Sequence, residues 1–125
     1  MQYNKKVFDT ATLTQIENEL TQAEAARQAG FEGRARVSAR RAAGAAIRAH
    51  LNSRQIHLGQ VSAYDLLQIM LHRTDTPPKV HQVIEHLLAR VNEEYQLPIP
   101  VDLIAETRWL VQILNKDSTH GNEFN

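Results

Sequence analysis

Cysteine is absent from this chain, which excludes a disulfide framework, a thiolate nucleophile and any cysteine-based zinc or iron–sulfur site. Glycine and proline are sparse, at five and four residues, and no glycine-rich phosphate loop, nucleophile elbow or paired-carboxylate motif occurs. Aromatic residues make up 6% of the chain; Tyr64, Tyr95 and Trp109 are too scattered for a base-stacking platform, so core or interface packing is their expected role. No apolar run approaches the ~20 residues of a transmembrane helix, and Lys5 and Lys6 are not followed by the apolar core of a signal peptide. Neither a myristoylation glycine nor a prenylatable cysteine is seen. A cytoplasmic protein without a membrane anchor is the expectation. Net charge is zero, with fourteen Lys and Arg against fourteen Asp and Glu. That balance excludes a globally basic nucleic-acid binder.

What remains is a 125-residue chain that is 42% apolar and 22% charged, the size and composition of one soluble domain. Apolar residues recur at three, four and seven, with no sustained period-2 alternation, so helices are predicted throughout. The first begins near Thr10 to Thr12, with a threonine as its cap, carries Leu13, Ile16, Leu20 and Ala23, and closes at Gly30. A second, alanine- and arginine-rich helix runs from about Arg34 to Ser53. Ser62 caps a short third helix carrying Leu66, Leu67, Ile69, Met70 and Leu71. Thr76 and two prolines start a fourth, with Val80, Val83, Ile84, Leu87, Leu88 and Val91 as the cleanest amphipathic repeat. After the stiff connector Leu97-Pro98-Ile99-Pro100, residues Leu103, Ile104, Thr107, Leu110, Val111 and Leu114 mark a fifth. The fold expected is all-α, a compact antiparallel helical bundle of four to five helices over residues 10–115, with an extension at 1–9 and a polar, flexible tail at 116–125.

Neutrality conceals segregation. Residues 1–32, 33–64 and 65–125 carry net charges of −2, +6 and −4. The central segment holds six arginines and no acid, and at 100° per residue Arg34, Arg41 and Arg48 form one stripe. Ala35, Ala39, Ala42, Ala46 and Ala49 occupy a different face, where a neighbouring helix can approach closely. Two readings of the arginines compete. If the chain turns back near Phe31 to Gly33, Glu24 comes level with Arg40 and Arg41, and Glu17 with Arg48, giving an internal ion-pair ladder. This is the first expectation, and it makes loss of stability the main effect of Arg41→Ala. Alternatively the stripe faces an open groove and holds the phosphates of a nucleotide or RNA, with His50 beside it.

Six histidines invite a metal hypothesis, which spacing refuses. His81 and His86 stand five apart, about 140° around a helix, and cannot share one ion. His81 with Glu85 is read as a solvent-facing pair, His50 and His57 as helix-end and loop residues. No metal and no cofactor are expected.

The long first helix, the run Gly33-Arg34-Ala35-Arg36-Val37-Ser38-Ala39-Arg40-Arg41-Ala42-Ala43-Gly44, the short helix near Tyr64 to Leu71 and the last helix after Tyr95-Gln96-Leu97-Pro98 together resemble the HEPN domain, over about residues 10–115. The run is also similar to that of small bacterial proteins. The resemblance implies a helical bundle, a homodimer, and nucleotide or RNA as ligand. It also implies the metal-independent ribonuclease activity of several members, which use an arginine followed, after four to six intervening residues, by a histidine in the last helix. Arg108 is the one arginine of the fifth helix, and the next histidine, His120, lies well beyond that spacing. The expectation is therefore a non-catalytic, self-associating interaction module of a bacterial nucleotide- or RNA-linked system, with a second copy or a protein encoded nearby as partner. Its candidate phosphate contacts are Arg34, Arg41, Arg48 and His50.

Overall fold

A computed structural model describes residues 6–89 and 100–116. Among them are five helices and no strand: α1 Thr10–Gln28, α2 Glu32–Ser53, α3 Ala63–Leu71, α4 Pro78–Leu88 and α5 Leu103–Leu114. The all-α bundle expected from periodicity is the fold observed. Val91, residues 97–99 of the connector and residues 117–125 of the tail lie outside the described residues.

Asp9, not a threonine, caps α1: its carboxylate accepts from the Thr12 amide at 2.8 Å. An ionised acid satisfies the orphan amide and also meets the positive end of the helix dipole, where a threonine hydroxyl does only the first. Ile16, Leu20 and Ala23 are buried as expected, but Leu13 remains 40% exposed. It sits about 60° around the helix from Ile16, at the margin of the buried stripe. At the other end the Gly30 amide donates to the Arg27 carbonyl and the Phe31 amide to that of Ala26. This double closure needs a left-handed residue, supplied by Gly30 at φ 85°. A side chain there would meet nothing within 4 Å, so backbone conformation, not space, selects glycine.

The turn returns the chain as α2, the central helix, which packs against α1, α3 and α5. Ala35, Ala39, Ala42, Ala43 and Ala46 are all at most 1% exposed. Of the small-residue face expected to admit a neighbouring helix, Ala35, Ala39, Ala42 and Ala46 are thus covered by helices of the same chain, while Ala49 is only partly buried. Gly44 marks the closest approach to α3, since a Cβ on it would lie 2.8 Å from the Ala63 Cβ and 3.0 Å from its Cα. Ser62 caps α3 by accepting from the Asp65 amide at 3.0 Å. Pro78 opens α4, where a missing amide costs nothing, and Val80, Val83, Ile84 and Leu87 are buried. Asp102 caps α5, accepting from the amides of Ile104 and Ala105 at 3.1 Å each. Asn115 then joins the end of the bundle to its beginning: its side-chain oxygen accepts from the amides of Val7 and Phe8 at 3.1 and 2.8 Å.

Candidate functional site

The arginines of α2 do not form the expected ladder. Glu17 and Glu24 are instead held by Arg108 of α5, at 3.3 and 3.2 Å. The reason lies in the helical wheel of α1. Glu17 and Glu24 stand two turns apart on one flank of its buried stripe, and α5 packs on that flank. The exposed stripe of α2 emerges on the other. Spacing predicts that two glutamates share a face; it does not say which neighbour that face will meet. A second network on the α5 side joins Arg27 to Glu32 at 2.9 Å and to Asp102 at 2.8 Å, so Asp102 serves as helix cap and ion partner together. The Arg27 contact holds the Asp102 carboxyl below its ordinary value.

Freed of the acids, the arginines take separate tasks. Arg40 is half-buried and donates to the Leu87 carbonyl and, at 3.2 Å, to that of Ala89, satisfying orphan acceptors at the end of α4. Burial, and then the neighbouring Arg36, push its pKa down. Arg48 spans the loop before α3, donating to the carbonyls of Leu58 and Val61 at 3.2 and 3.3 Å. Arg34 lies 4.8 Å over the Phe31 ring, a cation–π contact at an exposed corner. Arg41 is exposed, and no hydrogen bond or ion pair engages it among the described residues.

Arg41 and Arg48 line one cavity of about 310 Å³ between α1 and α3. Its floor is α2, lined by Gly44, Ala45 and Ala49. Thr12, Gln15 and Glu19 form the α1 wall, Val61, Ala63 and Leu66 the opposite wall, and Asn52 closes one end. Glu19 is the acid that sequence reasoning passed over. It projects from the flank opposite Glu17 and Glu24, and its Oε1 is buried without a hydrogen-bond partner. Counting 100° per residue outward from Ile16 and Leu20 would have separated it from the other two glutamates. Its missing partner has no signal in the sequence.

Of the four candidate contacts, the fold brings only Arg41 and Arg48 together. Arg34 does not line the cavity. His50 is 5% exposed and lies on the far side of α2, so the reading that set it beside the arginines at an anion is corrected. Burial, reinforced by Arg54 and Arg73, pushes its pKa down to about 4 against hydrogen bonding with the Leu114 backbone. A buried neutral imidazole is a packing group here. The other described histidines are parcelled out singly. His81 stands 3.6 Å from Glu85 on the surface, as expected, while His86 reaches Glu106 of α5 at 2.8 Å. Trp109, expected to pack in the core or an interface, is half-buried with the Lys79 ammonium 4.8 Å over its ring. Among the described residues no three His, Asp or Glu side chains are grouped as a metal site, and no helix is long and apolar enough to cross a membrane. Comparison with protein-family models, with curated proteins and with solved structures gives no match.

Proposed function

We propose that this chain is a non-catalytic binding module whose α2 groove takes a phosphate-bearing ligand, a nucleotide or the exposed end of an RNA. One observation carries the reading: among the described residues Arg41 has no ion-pair partner in a groove beside Arg48, while Glu17 and Glu24 are engaged on the other flank of α1 and Glu19 is the one acid of the lining. Arg48 is already fixed by two carbonyls, so less side-chain freedom is lost when an anion arrives. Arg41 supplies the planar fork that suits phosphate. A volume of about 310 Å³ is at the lower end of small-ligand sites and fits one nucleotide unit better than a duplex. The groove contains no histidine, and the arginine–histidine spacing of HEPN ribonucleases is missing, so binding without cleavage is the role assigned. The HEPN resemblance leads to the same ligand class, in a cytoplasmic bacterial setting.

Fluorescence anisotropy of a short labelled oligoribonucleotide across a salt series tests the reading. Two arginine–phosphate contacts predict a log–log salt slope of about −1.4, from about −0.7 for each contact on a single strand. Absence of binding at low salt, or binding that ignores salt, contradicts it.

Self-association is a second reading, favoured by Phe31 and Val37, which remain 52% and 40% exposed. An isologous dimer centred on the groove would set Arg41 against its own copy, so the dimer surface is assigned to the Phe31 end of α2. Sedimentation equilibrium at tens of micromolar should show a dimer that Phe31→Ser weakens; a monomer contradicts this reading.

A further inference from the structure

The groove holds its two cations apart, with an apolar interval between them. Arg41 and Arg48 stand seven residues apart on one stripe of α2, so their backbone anchors are about 10 Å apart along the helix axis. Gly44 and Ala45, which lie between them on the floor, offer no polar side chain, and Val61, Ala63 and Leu66 on the facing wall offer none either. Arg48 is held where it stands. It donates to the Leu58 and Val61 carbonyls at 3.2 and 3.3 Å and would surrender both bonds by swinging toward Arg41. Those bonds use only part of the five-donor guanidinium, so it can take an anion in place. A single phosphate shared by both arginines would have to draw Arg41 across the apolar floor.

Resting on the phosphate reading above, we infer that the groove takes a nucleoside with a phosphate on each side, one at its 5′ and one at its 3′ oxygen. In such a ligand a neutral nucleoside separates the two anions, as Gly44 and Ala45 separate the two cations. The phosphates of a nucleoside 5′-diphosphate or 5′-triphosphate instead follow one another through a bridging oxygen. They crowd one arginine and leave the other over the uncharged part of the ligand. A 5′-monophosphate leaves one arginine with no anion at all. Glu19, the one acid of the lining, stands on the α1 wall with Thr12 and Gln15. Its charge repels a phosphate, which keeps the anions on the α2 side and turns the neutral nucleoside toward α1. Two sources supply this chemistry: a free nucleoside 3′,5′-bisphosphate, and the 5′-phosphorylated end of an RNA strand, whose first nucleoside has a phosphate on either side.

Calorimetric titration of the full chain with adenosine 3′,5′-bisphosphate, AMP, ADP, ATP and the 5′-phosphorylated dinucleotide of adenosine tests the assignment with the base held constant. The bisphosphate should bind about ten- to a hundredfold more tightly than AMP, ADP or ATP, the worth of one further charge-assisted contact. ATP carries as much charge as the bisphosphate, so total charge does not produce this order. Arg41→Ala should bring the bisphosphate down to the level of AMP while keeping the parent melting temperature. A dinucleotide that binds at least as tightly as the bisphosphate assigns the strand end as the source, and a weaker one assigns the free bisphosphate. If AMP, ADP or ATP binds as tightly as the bisphosphate, or if its advantage survives Arg41→Ala, the two-phosphate assignment is overturned and the phosphate reading stands. If none of the five binds, both fall.

Discussion

α2 meets the rest of the molecule through two faces of opposite character. On one, Ala35, Ala39, Ala42 and Ala46 lie against neighbouring helices with at most 1% exposure, together with Ile47 and Leu51. On the other, Arg41, Arg48 and the small residues Gly44, Ala45 and Ala49 face an open groove. The buried face holds His50 in the neutral form; the open face uses one of its guanidinium groups, Arg48, to fasten a loop. Small side chains serve both faces for different reasons. Where a helix packs close they remove bulk between backbones, and where none does they leave a cavity. Alanine content alone therefore does not predict contact with a partner.

The largest effect that distinguishes the faces should come from acid. Above its ordinary pKa of 6.5 His50 is neutral folded or unfolded. As pH falls through 6.5 the unfolded chain takes up a proton that the folded chain refuses until about 4, so stability is lost across that interval. At ~1.4 kcal/mol for each pH unit the loss reaches about 3 kcal/mol by pH 4. Urea unfolding from pH 7 to pH 4 should show it, and a His50→Gln variant should show a flatter profile. An unchanged slope in that variant would mean that the buried face tolerates charge.

Gly44 sits at the seam between the faces, and Gly44→Ala should cost about 1 kcal/mol net. Overpacking against the Ala63 backbone costs about 1–3 kcal/mol, and the better helix propensity of alanine returns about 1. The melting temperature should fall by a few degrees. A rise would show that α3 can slide away from α2 at no cost.

Smaller still is the effect of Arg108→Ala on the far flank of α1. Its partners Glu17 and Glu24 have side chains 60% and 50% exposed, so water replaces the lost contacts and the cost should stay below ~1 kcal/mol. Denaturant titration checks this. A loss of several kcal/mol would mean that the ion pairs, and not the apolar stripe, hold α5 to α1.

Much of this architecture is legible in the residue pattern. The period of Val80, Val83, Ile84 and Leu87, the Ser62 cap and the stop at Gly30 each follow from local chemistry acting over one or two turns, and each is found where expected. The pairing of charges is not legible in the same way. Glu17 and Glu24 read as partners for Arg41 and Arg48 because the next helix in sequence was taken to pack on their flank, whereas the helix that does so is α5, some eighty residues later. His50 looked like a helix-end residue beside arginines, and only the docking of α5 shows that it faces inward. Long-range packing decides which flank is closed, and the groove is what it leaves open.

The most direct measurement compares two variants with the same change in net charge, Arg41→Ala and Arg108→Ala, for oligoribonucleotide affinity and its salt dependence. The open-groove account predicts that Arg41→Ala keeps the parent melting temperature, weakens binding and reduces the magnitude of the log–log salt slope by about 0.7, while Arg108→Ala binds as the parent does. Equal loss of binding in both variants would reduce the effect to overall charge, and a destabilised Arg41→Ala protein that still binds normally would restore the internal ladder; either result contradicts the account.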